Sequence, residues 1–377
     1  MLSEIIHIME YTLYIYLSVS VGYIVLFSAA SHFFKQKKYP ATTVRQRFII
    51  LVPAYKEDAV IHACVTSVLR QTYPAELYDL IVISDHMRPE TNALLRKERI
   101  SLIELHEKES SKAKALRIAA ETITDQPYDY VLILDADNLI SPCYQSIKAI
   151  QTHRKAKNMN TDIALLDAAI EEMNNSIFRK GHIRLGFSSA LTGSGMAFDF
   201  RWFVRNIIHT YSTGEDKELE ELLLRQGIHI EYIDTLETLD EKVRQPDALR
   251  NQRRRWIATQ LFLALKMGRN LPTALLNGNG DYLLKTLQAF IAPRSILLAL
   301  IGFFSCVLCI FSPTSSIKWW ILLILLNGAL YLAIPSNMRY KYMSRILRQT
   351  PYFVIIMLLN LFHLKGMAQK FNHTQHG

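Results

Sequence analysis

The chain has 377 residues, half of them hydrophobic, with a formal net charge of +9. That length holds one large domain or two smaller ones, and the hydrophobic share is high for a purely soluble protein. No basic-aromatic module accompanies the positive charge, so it reads as a topology and anionic-lipid signal and not as nucleic-acid binding.

Residues 11–34 ("YTLYIYLSVSVGYIVLFSAASHFF") carry no charge, a run long enough to cross a bilayer as a helix. It begins only after Glu4 and Glu10, with no basic leader and no small-residue cleavage site, which predicts a retained anchor. The bases "KQKK" at 35–38 follow it and predict that the central region lies in the cytoplasm, with Met1 outside.

Short apolar runs then alternate with helical ones. "RFIILVPAY" (47–55) predicts a buried strand, and 58–70 a helix. "YDLIVISD" (78–85) predicts a second strand, followed by the helical "RPETNALLRKER". "ISLIELH" predicts a third, followed by "SSKAKALRIAAETI". "YDYVLILDADNLISP" (128–142) predicts a fourth, with a helix from Pro142. This alternation predicts a mostly parallel sheet covered on both faces, with ligands bound at the carboxyl ends of its strands.

Beyond these, "GFSSALTGSGMAFDF" (186–200) has glycines, Gly195 among them, that permit close backbone approach to a ligand. "STGEDKELEELLLRQG" has an N-cap signal, early acids and Gly227 as a stop, hence a helix. "IHIEYIDTLETLDEKV" reads as a strand and its exit. "DALRNQRRRWIATQLFLALKMG" predicts an amphipathic helix at a membrane surface.

Two further uncharged runs, 295–317 and 319–338, predict two spans. Pro313, Lys318 and the pair Trp319–Trp320 are placed in an interfacial turn between them, and Arg339, Lys341, Arg345 and Arg348 follow. Cys306 and Cys309 form a CxxC inside the first run, where small core packing is the expected role. With Cys64 and Cys143 they give no disulfide framework and no zinc spacing. The run 351–364 is short for a span and is expected in the interface; His373 and His376 fall in a polar tail expected to be disordered. These features divide the chain into an anchor (1–38), a catalytic domain (39–247), interfacial helices (248–294), an apolar hairpin (295–338) and a basic C-terminal segment (339–377).

Carboxylates fall at the strand ends: Asp85 after the second, Asp135 and Asp137 after the fourth. Helix capping accounts for Asp85 or Asp137 singly but not for Asp135 and Asp137 together. Two aspartates at this spacing can face one site and hold Mg²⁺ or Mn²⁺, hard cations that share phosphate oxygens with a substrate. Arg255 in "QRRRW" (252–256) suits a bidentate grip on an anion, and Trp256 offers an apolar face for stacking or an interfacial anchor. Arg253 and Arg254 are expected to meet lipid headgroups.

In order along the chain, "VPAYKE", Asp85 in "VISDH", "SKAKAL", "DAD", "GEDKEL" and "QRRRW" resemble the motifs of the family 2 glycosyltransferases, the inverting, membrane-bound group that includes cellulose, chitin and hyaluronan synthases. The resemblance covers about residues 47–260 and implies a GT-A fold and a nucleotide-diphosphate sugar donor, a UDP-sugar being expected. It places the donor nucleotide against Ala54, Glu57, Asp85, Lys112 and Asp135, and the metal on Asp135 and Asp137. Gln252, Arg255, Trp256 and Gly195 are assigned to the acceptor or diphosphate. Asp216 becomes the general base for a glycan or lipid acceptor; adjacent Glu215 points about 100° away on a helix, so only one of them aims at it.

Two positions depart from the pattern. His86, Met87 and Arg88 follow Asp85 where the family commonly has Gly-Ser, and Gly214 replaces a threonine before the Glu215–Asp216 pair. With about three spans, the membrane part is smaller than in large polymer-secreting synthases. That leaves room for a single-addition enzyme acting on a lipid-phosphate carrier, or for a channel built with other polysaccharide-synthesis subunits. A scaffold without activity is the remaining reading, against which the intact motifs stand.

Overall fold

The computed structural model describes residues 2–35, 45–106, 110–140 and 148–361. Helix α1 (Leu2–Phe33) precedes an α/β unit that opens with β1 (Phe48–Tyr55), α2 (Ile61–Leu69), β2 (Tyr78–Asp85), α3 (Pro89–Leu95), β3 (Ser101–Leu105), α4 (Lys112–Ile123) and β4 (Tyr130–Ile133). The unit continues through β5 (Leu139–Ile140), β6 (Ala149–Ala156), α5 (Asp162–Asn174), a π-helical extension (Asn175–Gly181), α6 (His182–Arg184), β7 (Met196–Asp199), α7 (Phe200–Ile207), α8 (Glu215–Arg225) and β8 (Glu231–Asp240). Helices α9 (Pro246–Arg269), α10 (Leu271–Leu276), α11 (Gly280–Phe290), α12 (Arg294–Phe311), α13 (Pro313–Ala333) and α14 (Ser336–Leu361) complete it.

The strands form one sheet in the order β3-β2-β1-β4-β7-β6-β8-β5. β3, β2, β1 and β4 run parallel, β7 runs against β4 and β6, and β8 is parallel to β6. Six strands therefore point the same way, and the carboxyl ends of β1, β2, β4, β6 and β8 share one edge. In β1 the two-residue period sorts side chains between two layers. Ile49 and Leu51 pack with Leu116 of α4, Phe203 of α7 and Leu219 of α8, whereas Phe48, Ile50 and Val52 pack with Ile61 and Val65 of α2. Burial on both faces explains why these strands read as unbroken apolar runs.

The second half of the sheet is less apolar. Gln151 and Thr152 of β6 are buried, and Thr152 hydrogen-bonds Thr238 of β8 hydroxyl to hydroxyl at 2.7 Å. A bulge between Thr152 and His153 shifts the register there.

A third layer joins α1, α12 and α13 around Leu17, Ile24, Phe27, Leu297, Trp319 and Leu326. The segments His7–Phe33, Arg294–Phe311 and Pro313–Ala333 are long and apolar enough to cross a membrane. The break between the last two falls at Ser312, so Lys318, Trp319 and Trp320 lie inside α13 and not in a turn. Trp319 is fully buried, stacks on Phe304 at 4.6 Å and donates to Glu10 Oε1, while Lys318 pairs with the same carboxylate at 2.8 Å. This contact joins α13 to α1 and gives Trp319 a packing role.

Cys306 and Cys309 are exposed on α12, not packed. The apolar run after Pro351 continues the basic segment as one helix, α14, with Pro351 inside it. That helix packs on α5 through Ile346 and Met338 and also touches α9 and α12. Helix α9 is half inside the protein, with Leu249, Arg253, Ile257, Leu263 and Met267 buried. Residues 36–38 of the basic stop, the expected helix from Pro142 with Cys143, and the tail with His373 and His376 lie outside the described residues.

Candidate active site

The fourth strand delivers its carboxylates through a tight polar turn. Asp135 N–H donates to Ser194 Oγ at 3.0 Å, and Ser194 in turn bonds Asn138 Oδ1. Asp135 Oδ1 accepts from Lys112 Nζ at 2.5 Å, and the same ammonium donates to Gly193 O and lies 3.3 Å from Glu215 Oε1. Burial alone would lower the Lys112 pKa, but the Asp135 and Glu215 carboxylates hold it above its ordinary value. Asp137 is buried; its Oδ2 accepts from Glu241 N–H at 2.9 Å and its Oδ1 from Asn138 Nδ2 at 3.1 Å.

A third carboxylate joins them. Asp240, at the end of β8, lies where its oxygen and those of Asp135 and Asp137 are all within 4.8 Å of one another. Arg154 and Lys242 both bond Asp240, the latter at 2.8 Å; burial alone would raise its pKa, and these two cations hold it below the usual carboxylate range. Three hard oxygen donors converging from two strands fit Mg²⁺ or Mn²⁺, which take carboxylates together with water and phosphate oxygens.

Around this group lies a cavity of about 1130 Å³. Of the residues singled out in the sequence, Ala54, Glu57, Asp85, Lys112, Asp135, Asp137, Asp216, Gln252, Arg255 and Trp256 all line it. Gly195 does not. Its φ is +63°, and a Cβ there would sit 2.1 Å from Thr152 Oγ1 and 2.5 Å from Thr238 Oγ1, so side chains of the protein, not a ligand, demand the glycine. Gly193, two residues earlier, takes its place on the cavity wall beside Lys112.

The first turn of α8 carries Glu215 and Asp216 into the cavity. No side chain caps its first residue; instead Glu218 Oε2 accepts from the Tyr211 and Ser212 amides at 2.8 and 2.9 Å. Glu215 is buried against Lys112, and burial raises its pKa to about 7 against the opposing pull of that lysine. Asp216 is half-buried, lines the same cavity and has no ion-pair partner among the described residues.

Arg253 is only 4% exposed, bonds Asp167 and stacks over the Trp256 ring at 4.2 Å. It is therefore a buried structural cation and not a headgroup contact. Asp240, Arg154 and Lys242 went unnoticed in the sequence, although Asp240 obeys the rule that flagged the others: an acid at the carboxyl end of a strand.

A sequence model described as "Glycosyltransferase like family 2" matches residues 45–259, more than half of the chain. The chain belongs to this family. No curated protein matches it by sequence. Among solved structures it is similar to a mannosyltransferase from Pyrobaculum calidifontis in complex with GDP-Man and Mn²⁺, with 16% identity, a TM-score of 0.51, and coverage of 85% of this chain and 96% of that one. It is also similar to glucosyl-3-phosphoglycerate synthase from Mycobacterium tuberculosis, with 17% identity, a TM-score of 0.41, and coverage of 60% of this chain and 86% of that one. As a family 2 glycosyltransferase the chain has the GT-A fold.

Both departures from the family pattern have local causes. His86 has φ +54°, a conformation glycine adopts freely, and its Nδ1 lies 2.6 Å from Asp85 Oδ1. A Cβ at Gly214 would sit 2.4 Å from Thr259 Cγ2 of α9, so that threonine occupies the space a side chain would need.

Proposed function

We propose that this glycosyltransferase is a membrane-anchored, inverting enzyme that moves a sugar from a UDP-sugar to a glycan or glycolipid acceptor. The observation that carries the reading is the single cavity faced by both Asp216 and the Asp135–Asp137–Asp240 group, with Lys112 between Asp135 and Glu215. Asp216 takes the proton of an acceptor hydroxyl as that oxygen attacks the anomeric carbon, and the bond from that carbon to the diphosphate breaks. One base and one displacement invert the stereochemistry, without the paired carboxyls of hydrolases. Asp85, Ala54 and Glu57 receive the nucleotide, and Lys112 and Arg255 steady the diphosphate. Trp256 and Gln252 border the acceptor. Mg²⁺ or Mn²⁺ held by Asp135, Asp137 and Asp240 would offset the charge on the leaving diphosphate. The apolar helices and the bases after them support an anchored catalytic domain on the cytoplasmic side.

The test is a screen of nucleotide sugars with the detergent-purified chain and Mg²⁺ or Mn²⁺, following nucleotide diphosphate release and the anomeric configuration of the product. The expected result is release with one UDP-sugar, inversion at the anomeric carbon, and loss of release on chelation. Retention, or release unaffected by chelation, contradicts the mechanism.

A further inference from the structure

The transfer step described above leaves one acid in the first turn of α8 unused. Glu215 is 4% exposed, yet it lines the cavity beside Asp216. Its one ion-pair partner among the described residues is Lys112, whose ammonium lies 3.3 Å from Glu215 Oε1. That ammonium is already shared: it donates to Asp135 Oδ1 and to Gly193 O, both at 2.5 Å. Lys112 therefore stands between acids from the two ends of the reaction, Asp135 of the metal group and Glu215 of the base helix.

The groups around Glu215 weigh against its charge. Burial raises its pKa to about 7 against the pull of Lys112 of α4; Asp216 on its own helix and Asp135 in the turn after β4 push the same way as burial. Lys217, two residues on, is turned to Leu191 O and Glu220. From α9, the side chain against Gly214 is the uncharged Thr259, and Arg255 lines the same cavity. A diphosphate meeting Lys112 brings negative charge to the same ammonium and takes a share of its hydrogen bonds. The field of the lysine at Glu215 is then partly cancelled. A buried carboxylate whose cation is claimed elsewhere neutralises itself by binding a proton.

We propose that Glu215 is a positioning residue for the donor, acting through Lys112: it keeps the ammonium placed before the donor arrives, and yields it to the diphosphate by taking up a proton. The proposal rests on the transferase reading above and concerns its donor-binding step. The proton comes from water, and no bond to the sugar forms or breaks. Asp216 is left for the acceptor hydroxyl, so the two adjacent acids serve different substrates. A Glu215 that only held the fold together would move no proton when the donor binds.

The full chain in detergent is titrated calorimetrically with UDP at saturating Mn²⁺ and at a pH of about 8, one unit above the printed-out balance point of Glu215. Buffers of different ionisation enthalpy count the protons exchanged. The parent is expected to take up roughly half a proton or more per UDP, since a carboxyl whose pKa the ligand raises binds protons above its ligand-free value. By the same linkage its UDP affinity should fall as the pH rises further. Glu215→Gln, which mimics the protonated side chain, should lose both the uptake and the pH dependence and bind UDP at least as tightly as the parent. Asp216→Asn should keep the uptake. No uptake in the parent, uptake that survives in Glu215→Gln, weaker UDP binding in that variant, or uptake lost in Asp216→Asn overturns the proposal. If UDP does not bind the parent with Mn²⁺, the donor reading fails and the proposal with it; if UDP binds without proton uptake, the donor reading stands and the proposal alone fails.

Discussion

The two ends of the cavity solve the problem of buried charge in opposite ways. At the strand edge, three carboxylates gather within 4.8 Å, and Lys112, Arg154 and Lys242 already lie against them. At the start of α12, Arg294 Nη1 and Ser295 Oγ are buried without a hydrogen-bond partner among the described residues, although Arg294 also donates to Asn174. The first end is a scaffold fixed before any ligand arrives, so its groups are ready for a cation and a diphosphate. The contrast teaches that fixed ion pairs mark where geometry must not move.

Substitutions sharpen that contrast. The largest effect is expected from Arg253→Met. Leaving Asp167 buried and unpaired should cost about 3–5 kcal/mol of stability, against under ~1 kcal/mol for a surface headgroup contact. Chemical denaturation in detergent checks it, and a change in the smaller range would return Arg253 to the surface role. Asp137→Ala should come next, lowering Mn²⁺-dependent UDP affinity by about a thousandfold, beyond the roughly 10–100-fold that loss of an outer-shell partner brings. Unchanged metal affinity would remove Asp137 from the site. Gly214→Thr should cost about 1–3 kcal/mol by overpacking against Thr259, with the loss recovered in the double variant carrying Thr259→Ala. Failure of that rescue would place the cause of the glycine elsewhere.

The same division governs how much of the molecule was legible in its sequence. β1, β2 and β4 announce themselves as apolar runs because both of their faces are buried, and acids follow β2 and β4. The half built from β6, α5, β7 and β8 does not. There Gln151 and Thr152 are buried by hydrogen bonds, and Asp167 and Glu171 of α5 point inward onto Arg253, Arg179 and Lys242, distant in the chain. Polar residues whose partners arrive from elsewhere look like a solvated face until the fold joins them. Asp240 was hidden for that reason among Glu231, Asp234 and Glu237 of the same strand. The turn expected at Lys318, Trp319 and Trp320 was misplaced as well, since the apolar runs on either side do not show that the break comes earlier, at Ser312.

The central claim is that Asp216, and not its buried neighbour Glu215, removes the acceptor proton. The most direct measurement compares Asp216→Asn with the parent enzyme for both transfer rate and UDP binding in the presence of Mn²⁺. The account predicts transfer lower by about a thousandfold, the scale of a lost general base, with UDP affinity unchanged. Transfer at the parental rate in this variant would contradict it.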